Sequence, residues 1–302
     1  KRTPTTFDYR GHLIVTMPPP SAGGLVLRQL LRARELANVR HGWQSAADAH
    51  WFVETARRAY ADRNALIADP DVVALPLSTL EDDAYLKRRI ADIDRSHATP
   101  SESVAAGLPA PTKRPPSEET THYSVIDRWG NSVSTTTTLN TGFGSKFVVP
   151  AVGVLLNNEM DDFSVRPGKA NTYGLVQGQA NAIEPFKRML SSMTPTIVVT
   201  KGGAVRAVIG SPGGPTITTT VAQIIIALLD YGKTLDVAVA APRIHHQWLP
   251  DRVDVERQTP PALIKALTAL GHVVRKRGDI GHANCIAIDP QTLGFRAVAD
   301  VA

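Results

Sequence analysis

The sequence of 302 residues predicts a layered α+β fold, with helices and strand hairpins stacked as separate layers. Two observations carry that prediction. First, runs rich in β-branched residues come in pairs joined by short turns. His122 to Asp127 pairs with Ser132 to Leu139 across Arg128-Trp129-Gly130-Asn131, and Pro195 to Thr200 pairs with Val205 to Ile209 across Lys201-Gly202-Gly203. Second, helical patterns stand before and after these hairpins and do not alternate strictly with single strands, which disfavours a Rossmann-type sheet.

Along the chain, His12 to Met17 is a short extended stretch ended by Pro18-Pro19-Pro20. Gly24 to Ala37 is a helix, with Leu25, Leu27, Leu30 and Leu31 along it. Ala46 to Ile67 is a second, with Ser45 placed as its N-cap and Pro70 soon after its end. Residues 80–95 carry a charged amphipathic helix. From His97 to Glu119 there are five prolines and few bulky apolar residues, the composition of an exposed, extended linker. That linker divides the chain into portions 1–119 and 120–302. Beyond the hairpins, Thr216 to Tyr231 is a helix closed by Gly232, and Pro261 to Leu270 is another closed by Gly271. His272 to Arg275, Asn284 to Ile288 and Phe295 to Val298 are late strands.

Composition narrows the function. Hydrophobic residues make up 43% and charged residues 20%, ordinary values for a globular protein. The net charge of +5 is spread in short runs such as Lys87-Arg88-Arg89 and Arg275-Lys276-Arg277, not in a basic tract with interleaved aromatics, so no nucleic-acid partner is predicted. Cys285 is the only cysteine, which excludes an internal disulfide and a zinc site built on several thiolates. No apolar run reaches the ~18–20 residues that span a bilayer. Lys1-Arg2-Thr3-Pro4 is not a signal peptide, and the opening reads as mid-protein. His245-His246 with His282 is the one metal alternative, and it is a poor one, because adjacent histidines diverge and no His-x-x-x-His pair supports them. There is no phosphate-binding loop of the Gly-x-x-x-x-Gly-Lys type, and Arg277-Gly278-Asp279 is too short to argue adhesion.

The linker runs directly into Glu119-Thr120-Thr121-His122. A mid-chain threonine is a poor nucleophile without a base. Cutting the bond before Thr120 would free an α-amine of pKa about 8 within reach of the same residue's hydroxyl, so one residue would supply nucleophile and base.

The run TTHYSVIDRWGNSVSTTTTLNTGFGS, followed in order by LLNNEMDDFS, NTYGLVQG, KRMLSSMTPTIV, GSPGG and APRIHHQWLPD, resembles the small subunit of γ-glutamyltranspeptidases. Upstream, YRGHLIVTMPPPSAGG and YADRNALIADPD resemble the later part of that family's large subunit. The resemblance implies a four-layer αββα sandwich of the N-terminal-nucleophile hydrolases. It also implies self-cleavage between Glu119 and Thr120, large and small subunits that pair afterwards, and no cofactor or metal.

Residue by residue, it places Thr120 as the nucleophile and Thr138 as the hydroxyl that supports it. Asn140, Glu159 and Asp162 become acceptors for the substrate's α-amino group, and Ser191 and Ser192 donors to its α-carboxylate. Gly213 and Gly214 supply the oxyanion-hole N–H groups, and Tyr173 is the tip of a lid. Pro215 stands where a small polar residue is expected of relatives. The family's arginine for the α-carboxylate comes from the first half of the large subunit, and no residue here matches it.

The implied function is transfer or hydrolysis of γ-glutamyl groups, from glutathione and similar donors to an amino acid, a dipeptide or water. The implied location is periplasmic or extracellular. The rival readings are a cephalosporin or glutaryl acylase, a capsule-polymer transpeptidase, and a non-catalytic glutamyl-binding protein on the same scaffold.

Overall fold

Strands β1 (Thr5–Tyr9) and β2 (His12–Thr16) form an antiparallel hairpin whose buried residues Phe7, Tyr9 and Ile14 face the core. This computed structural model describes residues 1–110, 122–289 and 292–300. The expected extended stretch is β2; β1 is an addition to the sequence reading, and it forms where β2 offers it a full-length pairing edge.

Helix α1 (Gly23–Leu36) follows, and then α2 (Ala46–Leu66), where the Ser45 side chain accepts from the Asp48 N–H at 3.2 Å as the N-cap. The charged helix predicted over 80–95 is shorter than expected: a single turn α3 (Leu77–Leu80) precedes α4 (Asp83–Ile90), which is capped by Asp82. The remaining elements are β3 (Tyr123–Ile126), β4 (Ser132–Thr135), the two-residue strands β5 (Val148–Val149) and β6 (Val154–Leu155), β7 (Thr196–Thr200), β8 (Val205–Ile209), α5 (Thr216–Leu229) and α6 (Leu235–Ala240). After these come β9 (Ile244–His245), β10 (Val253–Val255), α7 (Pro261–Ala269), β11 (Val274–Lys276), β12 (Asn284–Ile288) and β13 (Phe295–Ala299).

The main sheet is antiparallel throughout, in the order β1-β2-β7-β8-β12-β13. Its central seam joins distant sequence: His12 pairs with Thr200 and Thr16 with Thr196. The segments on either side of residue 119 therefore share one sheet. On one face α1 and α5 bury Leu25, Leu27, Leu30, Leu31, Ile217, Val221, Ile224 and Ile225. Each such side chain contributes about 1.5–3 kcal/mol when fully buried. α2 packs outside α1, and α7 beyond it. The other face receives the β3–β4 hairpin, which crosses β8 and β12. Ser124 Oγ donates to the Asn284 carbonyl (3.0 Å), and Ser134 Oγ to that of Ile209 (3.3 Å). The described residues thus supply a helical layer, the six-stranded sheet and the two-stranded beginning of a facing sheet.

The first part of the expected linker is pinned, not free. Thr99 N–H donates to Glu54 Oε1 (3.1 Å), Ser101 N–H to Asp251 Oδ2 (2.7 Å) and Gly107 N–H to Asp62 Oδ1 (2.8 Å). Ser101 is fully buried. A segment with few apolar side chains builds no core of its own, but its backbone donors satisfy carboxylates, two of them buried on α2. The rest of the linker, from Pro111, lies outside the described residues together with Thr120 and Thr121.

Candidate active site

A cleft of about 960 Å³ opens beside the N-terminus of α5, and segments far apart in sequence converge on it. Thr138, Asn140, Asp162, Tyr173, Ser191, Ser192, Gly213 and Gly214 all line it. Thr120 falls outside the described residues. The nearest described feature is His122, which is buried, with its ring nitrogens hydrogen-bonded to Thr136 Oγ1 (2.8 Å) and Ser124 Oγ (3.1 Å). Burial pushes its pKa down to about 4, so the ring that anchors the start of β3 is neutral near pH 7.

Just past β4, Thr138 Oγ1 accepts from the Asn140 N–H at 2.8 Å, a local loop that supports the positive φ (72°) of Asn140. Asn140 Nδ2 donates to the Asn158 carbonyl (3.1 Å), leaving Oδ1 as the acceptor end of that side chain. The acidic turn Glu159–Asp162 is a single 3-10 turn, held where the Asp162 carbonyl accepts from Asn181 Nδ2 (2.8 Å) and Gln177 Nε2 (3.1 Å). Burial raises the Asp162 pKa to about 7; the Arg63 charge opposes that shift and the Asp161 charge adds to it. Glu159 does not line the main cleft. It is 1% exposed and faces an adjoining cavity of about 190 Å³ that also touches Asp162, Ser191 and Met193. Both of its carboxylate oxygens are buried without a hydrogen-bond partner among the described residues.

Ser191 and Ser192 sit on a rigid strip. The Ser191 N–H donates to the Pro20 carbonyl (3.1 Å), and its carbonyl accepts from Ala22 (3.0 Å). α1 begins hard against this strip: a Cβ on Gly23 would lie 2.1 Å from the Met193 carbonyl, so only glycine fits there. This contact accounts for the glycine that follows Pro-Ser-Ala.

Gly213 and Gly214 precede α5 at φ 135° and 58°, with their carbonyls taken by the first turn of that helix. Among the described residues neither N–H meets an acceptor. A Cβ on Gly214 would come within 2.8 Å of the Tyr173 ring, so the Tyr173 turn closes directly over this pair. Tyr173 donates its hydroxyl to the Asn140 carbonyl (2.6 Å), and its own carbonyl accepts from Gln247 Nε2 (3.1 Å). Pro215 stands at the N-cap of α5, and its carbonyl accepts the Tyr60 hydroxyl.

Three participants escape a reading by sequence. Arg63, in the last turn of α2, donates to Ser192 Oγ at 2.8 Å, although 129 positions separate them. Gln247 holds the Tyr173 turn from a different segment. Asp254 gathers Arg252, Arg275 and Arg277 into a cationic far wall of the cleft. Nothing local marks these residues; only the pairing of short runs such as Arg275-Lys276-Arg277 with the cleft gives them a role.

Of the three histidines weighed as metal ligands, two have protein partners on their rings, while His282 lines the cleft. His245 bonds Thr219 (2.8 Å) and Gln247 (2.9 Å), and His246 bonds Asp251 (3.3 Å) and the Trp248 N–H (3.1 Å). A separate buried trio, His50, Glu54 and His272, lies close enough to share an ion. Its carboxylate is already held by Arg57, Arg58 and the Thr99 N–H, so guanidinium groups stand where a cation would. Among the described residues no helix is long and apolar enough to cross a membrane.

The profile of the family described as Gamma-glutamyltranspeptidase matches residues 1–302. Over 291 residues the chain is 46% identical to the glutathione hydrolase proenzyme of Escherichia coli (strain K12), an overlap of 96% of this chain and 50% of that protein. It is similar to a crystal structure of a Helicobacter pylori gamma-glutamyltranspeptidase mutant, with TM-score 0.57 and 50% identity over 60% of this chain and 98% of that one. With the cephalosporin acylase of Bacillus halodurans, at 24% identity, it shares the fold alone, with TM-score 0.81 over 98% of this chain and 51% of that one. The chain spans about half the length of the curated relatives it matches. A profile match over every residue, high identity to its relatives, and a shared α+β N-terminal-nucleophile hydrolase fold agree: this chain belongs to the gamma-glutamyltranspeptidase family.

Proposed function

We propose that the whole protein hydrolyses and transfers γ-glutamyl groups through an ester on Thr120, after self-cleavage between Glu119 and Thr120 into portions 1–119 and 120–302 that stay paired. The observation that carries this reading is the convergence of Thr138, Asn140, Asp162, Ser191, Ser192, Gly213, Gly214 and Tyr173 on one cleft. The names of the relatives, gamma-glutamyltranspeptidase and glutathione hydrolase proenzyme, support it.

The Thr120 Oγ1 attacks the γ-carbonyl carbon while the α-amine of Thr120 takes the hydroxyl proton. The N–H groups of Gly213 and Gly214 hold the oxyanion, and losing such donors costs about 10²–10³ in kcat. When the C–N bond breaks, the leaving amine takes that proton and the γ-glutamyl ester remains. Water, an amino acid or a dipeptide then attacks the ester and releases Thr120. Thr138 orients the nucleophile. Asn140 Oδ1, Asp162 and, from behind, Glu159 draw the α-ammonium, while Ser191 and Ser192 face the α-carboxylate. The Glu159 oxygens, without a hydrogen-bond partner among the described residues, support a cationic head group over the glutaryl group of an acylase substrate, since a buried carboxylate is stable only when paired. Glutathione-type peptides are the donor class, and a periplasmic or extracellular location goes with the same reading.

Intact mass of the purified protein tests the first step. Wild type is expected as two chains divided before Thr120, and Thr120→Ala as one uncut chain. The cut protein should release aniline from γ-glutamyl anilide and leave glutaryl anilide intact. An uncut wild type, or preference for the glutaryl compound, would overturn the proposal.

A further inference from the structure

Six arginines are buried among the described residues: Arg34, Arg57, Arg58, Arg63, Arg188 and Arg243. Five of them hold carboxylates. Arg34 takes Asp48 and Asp230, Arg57 takes Glu54 and Asp251, and Arg58 takes Glu54 and Asp92. Arg188 takes Asp69 and Asp71, and Arg243 takes Glu256 and Asp300. Arg63 is 2% exposed and has no ion pair among the described residues. Its guanidinium spends one nitrogen on Asn64 Oδ1 (2.8 Å) and the other on Ser192 Oγ (2.8 Å), with the Tyr60 ring centroid 5.9 Å away.

No carboxylate bonds Arg63 directly among the described residues, and Asp162 acts on it only through its charge; a buried cation held this way gains further when an anion comes close. Ser192 borders both worlds: its hydroxyl oxygen accepts from Arg63, and its residue lines the cleft. An oxygen that accepts from a guanidinium turns its own O–H away from that donor, so the Ser192 proton points off Arg63 and is strengthened as a donor.

We propose that Arg63 is a positioning residue for substrate choice: it orients the Ser192 hydroxyl as a donor into the cleft, selecting ligands with a carboxylate at that point. The proposal rests on the reading in which Ser191 and Ser192 face the α-carboxylate of the γ-glutamyl group. It concerns a side chain of α2 that acts through Ser192 without touching the substrate.

The test compares competitive inhibition of γ-glutamyl anilide hydrolysis by L-glutamate and by 4-aminobutanoate, which lacks the α-carboxylate. It uses the whole protein as wild type, Arg63→Met, Arg63→Lys, Ser192→Ala and the double variant Arg63→Met/Ser192→Ala. Loss of a charge-assisted contact should weaken L-glutamate about tenfold to a hundredfold in Arg63→Met, while 4-aminobutanoate changes by less than about twofold. In the Ser192→Ala background the same substitution should add less than about twofold for L-glutamate. Should Arg63→Met fail to accumulate, Arg63→Lys, which keeps the charge but not the fork, carries the same comparison with a smaller loss. Equal weakening of both inhibitors would mark Arg63 as structural and overturn the proposal, as would no change in either. Wild type that binds L-glutamate no better than 4-aminobutanoate would instead remove the assignment of Ser191 and Ser192 to the α-carboxylate, and the role of Arg63 with it.

Discussion

Asp162 shows how a single side chain is tuned by its surroundings. Burial favours its neutral form, the Arg63 charge favours the anion, and the adjacent Asp161 charge disfavours it; together they leave the pKa at about 7. The ionised carboxylate holds an ammonium by a charge-assisted bond that the neutral acid lacks, so the fall of kcat/KM on the acid side should follow this group. Asp161→Asn removes the like charge but keeps an acceptor for the Thr172 N–H, which Asp161 Oδ2 now receives at 3.0 Å. The expected outcome is an acid limb displaced to lower pH by roughly half a unit or more. A pH–rate profile checks it, and an unmoved limb would assign the ionisation to another group, such as the Thr120 amine. The sequence shows three acids in this turn. It does not show that Glu159 is buried behind the cleft while Asp162 lines it, because burial depends on what packs over the turn.

At the scale of the element, the Tyr173 turn is built locally and latched at long range. Asn171 Oδ1 accepts from the Tyr173 and Leu175 N–H groups (3.1 and 3.0 Å), which folds the turn on its own residues. The Tyr173 hydroxyl then ties it to Asn140, and Gln247 ties it to the segment after β9. Tyr173→Phe removes one bond and leaves the ring against Gly214. A single such bond is worth about 0.5–1.5 kcal/mol, so KM for a γ-glutamyl donor should rise about twofold to tenfold, with Tm shifted by no more than about 3 °C. Steady-state kinetics with parallel thermal melts read this out. An unchanged KM would mean that ring packing alone closes the turn.

For the molecule as a whole, three buried imidazoles make stability depend on acid. His122 lies between the hairpin and the main sheet, His245 beneath α5, and His272 against His50 of α2. Burial is the largest cause of depression in each, and each titrates at about 4. The unfolded chain holds these groups near pKa 6.5, so it binds more protons than the folded chain between about pH 6.5 and 4. Their contribution is complete above about 6.5 and is lost as pH falls toward 4. Asp251, held low by His246, the Ser101 N–H and Arg57 against the opposing effect of burial, adds to the same acid loss at lower pH. Asp162 works the other way, since its raised pKa favours folding at low pH, but it is one group against several. Tm is expected to fall by at least about 5 °C between pH 7 and pH 5, measured by calorimetry at fixed ionic strength. A flat profile would show that these rings stay neutral in the unfolded chain or reach solvent in the folded one.

Local chemistry settled much of this protein in advance. Periodicity and capping marked α1, α2, α5 and α7 to within two residues, because the signals for a helix lie inside its own span. The β3–β4 and β7–β8 hairpins were legible too, each with its turn between its strands, although β4 stops at Thr135, four residues before the Leu139 expected of it. The motifs also named eight of the residues that line the cleft. Tertiary structure alone decided that β2 pairs with β7, that residues 98–107 dock on α2 and its surroundings, that Glu159 turns inward, and that Arg63 supports Ser192. A strand edge, a buried carboxylate or a guanidinium can be satisfied by many partners, and no short window says which. The choice falls to the arrangement that buries the core and leaves the fewest polar groups unpaired, and that is a property of the whole chain.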